Sequence, residues 1–186
     1  PRCLSCWIPR ARRSAHYSKL KTDEPNPAKH KAGYAVTCDH IFMKDWWGRP
    51  GIGGYEDILS AYDLGIDLRV AYPVRTQNYL ETEENLRKFA GATIEIRRMY
   101  CDRHKSVAKV CKTLNIPIEH PPPGDSMANG VIENLNRRIQ GGARAHLRRA
   151  GLPCCFGPYA AQHWCALCNF RPRGDQPSPY LSLIHI

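Results

Sequence analysis

The chain has 186 residues, 42% of them hydrophobic, enough for one domain of about 100–150 residues with an extension. No apolar run approaches the ~20 residues of a membrane span and no secretory signal pattern opens the chain, so no membrane partner is expected. Lys and Arg outnumber Asp and Glu by 27 to 17, a formal charge of +10, which points to a polyanionic partner because phosphate neutralisation supplies most non-specific nucleic-acid affinity.

Residues 1–33 are basic, contain proline and show no period, so they read as an extended linker. Cys3 and Cys6 have the two-residue gap of a zinc knuckle, but structural zinc takes four ligands, so the pair is half a site unless His16 or His30 or an upstream segment completes it. The start at Pro1 suggests an internal piece of a longer product. The period changes at Tyr34. Residues 34–42 read as a strand with Asp39 in phase with Ala35, Thr37 and Ile41. After a turn-rich stretch containing Trp46 and Trp47, two strands over 56–63 and 66–74 join at Leu64-Gly65 as an antiparallel hairpin.

A helix over 78–90 follows, with Glu81, Glu83 and Glu84 early, Arg87 and Lys88 late, and Gly91 beyond, as the helix dipole and C-cap preferences favour. A fourth strand over 93–101 ends just before Asp102. Val107, Val110, Cys111 and Leu114 give a second helix over 105–114 its apolar stripe. A short strand over 116–119 leads into Pro121-Pro122-Pro123-Gly124, which cannot be regular structure. Helices over 126–150 and 157–170 follow, and the tail from Arg171 reads as irregular. The final SLIHI has no physical reading and is a candidate for non-native sequence. Three antiparallel strands and two more reached through helices make a mixed α/β sheet with right-handed crossovers. Nine cysteines, an odd number spread through patterned segments, are not a disulfide framework and suggest a reducing compartment. Cys38, Cys101, Cys111 and Cys165 fall on apolar positions and read as core.

Three carboxylates stand out. Mg²⁺ prefers oxygen ligands, so a two-ion site must gather several acidic side chains around one point. The first and fourth strands should be neighbours, which would bring Asp39 and Asp102 together. Glu133, on the long helix, heads a polar stripe of Asn136, Arg137, Gln140, Arg144 and Arg148, while Ile132, Leu135, Ile139 and Leu147 should pack on the sheet. Taken singly, each has a plainer reading: a turn residue, an exposed strand carboxylate, a Glu–Arg pair worth a few tenths of a kcal/mol. Asp45 is the rival to Asp39 but falls beyond the strand. Trp46 and Trp47 could stack on a base or close the edge of the sheet. Cys154, Cys155, His163, Cys165 and Cys168 could suggest zinc, but Trp164, Cys165 and Cys168 fit a buried helix face better.

These pieces resemble the catalytic core of a retrotransposon or retroviral integrase, of the DDE group with a ribonuclease H-like fold, most closely the Copia-type elements. The resemblance covers about residues 34–180 and rests on CLSC, the strand around Asp39, YDLGIDLRVAYPVRT, the strand ending in Tyr100-Cys101-Asp102, NGVIENLNRRI, and LPCCFGPYAAQHWCALCNFRP. It implies a five-stranded ribonuclease H-like core over 34–170, a linker over 1–33 carrying the end of an N-terminal zinc module (Cys3, Cys6), and a tail over 171–186. It also implies that Asp39, Asp102 and Glu133 bind two Mg²⁺ or Mn²⁺ ions. The implied reaction processes element DNA ends and joins their 3′-hydroxyls to target DNA, without a covalent enzyme intermediate. Asn136 and Arg137 fall where family members contact DNA, and Asp63 where the family has a non-catalytic position. The implied setting is a homo-oligomer in the nucleus, with assembly in the cytoplasm. Arg103-His104 and the 31 positions from Asp102 to Glu133 depart from the family pattern. A shortened turn there would tilt Asp102 from its partners. The alternatives are an inactive DNA-binding remnant of the same fold, or a ribonuclease H-type nuclease.

Overall fold

The computed structural model describes residues 31–45, 47–92, 94–102, 104–120, 130–172, 174 and 176–184. Cys3, Cys6, Trp46, Arg103 and the proline-rich stretch before Gly130 lie outside them.

Five strands form one mixed sheet: β1 (Val36–Phe42), β2 (Asp57–Asp63), β3 (Arg69–Val74), β4 (Met99–Tyr100) and β5 (Ile118–Glu119), in the order β3-β2-β1-β4-β5. β2 runs antiparallel to both β1 and β3, whereas β4 runs parallel to β1 and β5 parallel to β4. α1 (Tyr79–Ala90) carries the chain from β3 to β4 and α2 (Lys105–Thr113) from β4 to β5. α3 (Gly130–Ala150) and α4 (Gly157–Phe170) follow, joined through a 3₁₀ turn at Cys154–Phe156. The expected ribonuclease H-like arrangement is what the chain adopts.

Strand alternation sorts the apolar side chains into two cores. Val36, Cys38, Leu59, Ala61, Leu68 and Val74 pack with Leu86 and Phe89 of α1 and Val107 and Val110 of α2. Ile41, Ile58 and Ala71 pack on the other face with Ile132, Leu135 and Ile139 of α3 and Ala161, Trp164 and Cys165 of α4. A one-residue slip would exchange the two sets, each large side chain representing about 1.5–3 kcal/mol of burial, so register is fixed from both sides.

The ends of the elements have local causes. Asn78 Oδ1 accepts the Glu81 N–H at 2.8 Å, and the Gly91 N–H donates to the Arg87 carbonyl at 2.9 Å, which sets both ends of α1. Asp63, buried at the end of β2, accepts the Gly33 N–H at 2.6 Å and the Gly65 N–H at 2.7 Å. It therefore pins the chain entering β1 to the β2–β3 turn. Asn169 of α4 clamps the edge strand: Arg69 N–H donates to its Oδ1 at 3.1 Å, and its Nδ2 donates to the Arg69 carbonyl at 2.7 Å. An edge strand otherwise offers unpaired backbone groups.

Several expected boundaries are corrected. β1 begins at Val36, not at Tyr34, and β2 at Asp57. β3 begins at Arg69, because Asp67 takes φ 60 and breaks the strand even though Ile66 and Leu68 stay buried. β4 is regular only at Met99–Tyr100, and β5 only at Ile118–Glu119. Ile94 and Ile96 are buried as the alternation requires, and Arg97 N–H bonds the Gly33 carbonyl at 2.8 Å. The described part of α3 begins at Gly130. The tail is not irregular throughout: a fifth helix, α5 (Pro179–Ile184), follows Ser178, whose Oγ accepts the Leu181 N–H at 3.3 Å. Ser-Pro is a helix-start signal that the sequence carried.

Candidate active site

Parallel pairing of β1 and β4 leads toward the first two carboxylates, Asp39 on β1 and Asp102 two residues beyond the end of β4. Val36 faces Met99 and Thr37 faces Tyr100, so the same offset two residues further puts Asp39 level with Asp102. Neighbouring strands lie about 4.8 Å apart. Asp39 points with Ile41 to the face covered by α3, as its bond to that helix shows. Asn136 Nδ2 donates to Asp39 Oδ2 at 2.7 Å, while Asp39 Oδ1 accepts the His40 N–H at 2.8 Å. The Ser60 hydroxyl, opposite Asp39 on β2, lies 2.8 Å from Asn136 Oδ1 and 3.1 Å from the Asp39 carbonyl, and so orients the amide that holds the carboxylate.

Burial raises the Asp39 carboxyl above its usual range. The His40 N–H and the Asn136 amide act against this, the charge of Asp102 adds to it, and His104 also opposes it. A carboxylate desolvated beside another carboxylate is held in a state that a nearby cation would relieve.

Glu133 stands differently. It lies in the first turn of α3, one turn before Asn136, and is exposed. Among the described residues no three His, Cys, Asp or Glu side chains converge closely enough to hold a metal ion. The fit to a pair of hard cations is therefore partial. Asp39 on β1 and Asp102 just past β4 are suitable oxygen donors, and Glu133 is on the adjoining helix end but not gathered with them.

The polar stripe divides. Arg137, Arg144 and Arg148 are exposed and Gln140 is half-buried, a row along the outer side of α3. Asn136, expected to reach DNA, instead turns inward to Asp39 and Ser60. Leu147 is only half-buried.

Two histidines were not singled out by the sequence. His40 and His104 stack on each other with ring centroids 4.8 Å apart. His40 Nε2 lies 3.4 Å from Thr82 Oγ1, and His104 Nε2 lies 3.1 Å from Gln77 Oε1. The Nδ1 atoms of both rings are buried without a hydrogen-bond partner. Burial, then the His104 charge, pushes His40 down to about 4. A histidine directly after each in-line aspartate region was the only available signal. Of the other candidates, Asp45 is engaged by Arg49 through Nε at 2.8 Å, Cys38, Cys101, Cys111 and Cys165 are buried thiols, and Trp47 is exposed beneath the Arg49 guanidinium. Cys154 is exposed and Cys155 half-buried, whereas Trp164 and Cys165 are core.

No protein-family profile matches the sequence, and no curated protein does. Solved structures do match in shape. One is a chain of the simian T-cell lymphotropic virus intasome in complex with PP2A regulatory subunit B56 gamma, at TM-score 0.65 and 13% identity, covering 83% of this chain and 55% of that one. Another is the catalytic core domain of BIV integrase, at TM-score 0.58 and 14% identity, covering 83% of this chain and 95% of that one. The present chain thus spans about half the length of the first and nearly all of the second. Its mixed five-stranded sheet with flanking helices is the ribonuclease H-like fold of an integrase catalytic core.

Proposed function

We propose that the chain is the catalytic core of a DNA integrase of a Copia-type element, joining the 3′-hydroxyls of element DNA to target DNA. The single observation that carries this reading is that Asp39 on β1 and Asp102, two residues past β4, fall level when the β1–β4 register is continued, with Asn136 of α3 holding Asp39 from the same helix that bears Glu133. Copia-type origin rests on the motifs YDLGIDLRVAYPVRT and NGVIENLNRRI. The same proposal places the protein in the nucleus after cytoplasmic assembly, as a homo-oligomer on DNA.

Asp39, Asp102 and Glu133 would hold two Mg²⁺ or Mn²⁺ ions, which when bound stabilise charge on the attacking and leaving oxygens of a phosphodiester. Asp39 is held by β1 and by Asn136, and Asp102 follows two residues after β4. Glu133 reaches the pair by a change of rotamer or fraying of its exposed first turn, where helices open most easily. Arg137, Arg144 and Arg148 bind backbone phosphates and hold the duplex along α3. In the joining step the 3′-hydroxyl forms the new P–O bond as a target P–O bond breaks and leaves a target 3′-hydroxyl, so no bond to the protein is needed.

One observation favours a second reading. Because Glu133 is not gathered with the aspartates, a DNA-binding remnant that keeps the fold without the chemistry fits the same arrangement. A strand-joining assay with labelled duplex ends separates the two. The integrase reading expects Mg²⁺-dependent joined product that disappears with Asp39→Asn, Asp102→Asn or Glu133→Gln. Salt-sensitive DNA binding with no product in any metal would establish the remnant.

A further inference from the structure

α3 and α4 form a helical hairpin on the face of the sheet that carries Asp39. Its spacing is fixed by Gly142, where an added Cβ would overlap the Trp164 indole. The helices therefore approach at that level as closely as the ring allows. One turn beyond Gly142 stands His146, and one residue before Trp164 stands His163. Their Nδ1 atoms are 3.2 Å apart, with ring centroids at 5.1 Å and planes inclined by 58°.

Two imidazole nitrogens on one tetrahedral ion, each at ~2.0–2.1 Å, lie about 3.4 Å from each other. The two histidines already meet that separation to within a few tenths of an ångström. They come from different helices whose distance is set by a packed crossing, so little further ordering is needed for both to bind. His146 is half-buried and His163 exposed, which leaves the pair open to solvent on one side. Burial, then the charges of His163 and Arg149, keeps the His146 imidazole below its ordinary range, which favours the neutral, lone-pair-bearing form a metal requires.

We propose that His146 and His163 form a two-histidine clip for a borderline divalent cation, Zn²⁺ first and Ni²⁺ or Cu²⁺ by the same chemistry, bridging α3 and α4. Imidazole suits these metals, whereas Mg²⁺ prefers oxygen, so the clip is distinct in both place and metal from the carboxylates. Among the described residues no third His, Cys, Asp or Glu joins the pair, so water completes the coordination. Each bound ion replaces the proton that the two rings otherwise share. The clip locks the helix carrying Glu133 and Asn136 against its neighbour, and it does so whether or not the chain joins DNA.

The test is titration of the whole chain with ZnCl₂ under reducing conditions, read by calorimetry and thermal unfolding, beside His163→Gln and His146→Asn. The parent should bind one zinc more than either variant and gain several degrees in Tm that both variants lack, with MgCl₂ giving no such difference. A second readout needs no variant: in nitrogen-15 spectra of the parent, the Nδ1 resonances of both histidines should shift together as zinc is added. Equal stoichiometry and equal Tm gains in parent and variants, or Nδ1 resonances that stay in place, would overturn the proposal.

Discussion

The Nδ2 of Asn136 donates to the Oδ2 of Asp39 across 2.7 Å, and this bond ties the long helix to the central strand. Its other face is held by Ser60 at 2.8 Å. Asn136→Ala leaves the carboxylate without its amide donor and should lower stability by about 1–2 kcal/mol. Joining activity should fall further than that, by roughly 10–100-fold, the usual effect of losing a partner that orients a metal ligand. Urea midpoints and joining rates of the same preparation test both figures. Loss of stability with unchanged joining would make Asn136 purely structural.

Asp39 should cost stability at neutral pH. Its carboxyl is raised chiefly by burial, with Asp102 adding. A group raised in this way contributes stability below the ordinary carboxyl range and loses it as pH climbs through the folded value. At pH 7 the ionised form is a burden. Asp39→Asn is therefore expected to melt higher than the parent at pH 7 and to approach it under acid, while losing activity. A lower Tm at pH 7 would count against the electrostatic account of this position.

His40 should make the fold acid-sensitive. Its ring is pushed down to about 4 by burial and by His104. For a base with a depressed folded value, stability is fully present above the unfolded value near 6.5 and drains away as pH falls toward 4. The contribution is at most about 3 kcal/mol over that window. Raised carboxyls such as Asp63 and Asp39 act in the opposite direction. Comparing unfolding midpoints of the parent and His40→Gln at pH 7 and pH 5 isolates the histidine, and the variant should lose less. Parallel losses would assign the acid sensitivity elsewhere.

Gly142→Ala sets two effects against each other. Alanine is the better helix former by about 1 kcal/mol. Its methyl would overlap the Trp164 ring, and forcing such a contact in a packed interior costs about 1–3 kcal/mol. The steric term should win, giving a net loss of stability readable as a lower urea midpoint with an unchanged slope. A gain would mean that α3 and α4 part easily.

Periodicity made the sheet and its two cores readable, because each strand here is buried on a definite face. Leu59 and Ile58, or Cys38 and Ile41, declare their sides by alternation alone. The adjacency of β1 and β4 was expected from the layout of three antiparallel strands followed by two reached through helices, and the sheet has it. Strand ends were less legible. Asp67 breaks β3 through a backbone torsion that no side-chain pattern records, and the isoleucines before β4 are buried without regular pairing. Asn136 shows the limit most clearly. Helical spacing put it in the exposed stripe with Arg137 and Gln140, but it sits at the stripe's edge. Only the packing angle of α3 on β1 decides that such a residue faces a carboxylate and not solvent. The pairs His40–His104 and His146–His163 are contacts between elements; the first shows along the chain only as a histidine close after an aspartate, and the second has no signature there.

Anomalous diffraction from crystals of the chain grown with MnCl₂ tests the carboxylate centre most directly. The expected map holds manganese between Asp39 and Asp102, with a Glu133 oxygen in the coordination shell and two ions about 4 Å apart once DNA is bound. Manganese absent from the aspartate pair, or bound there while Glu133 keeps to solvent even on DNA, would contradict the assignment and leave a basic scaffold in place of an enzyme.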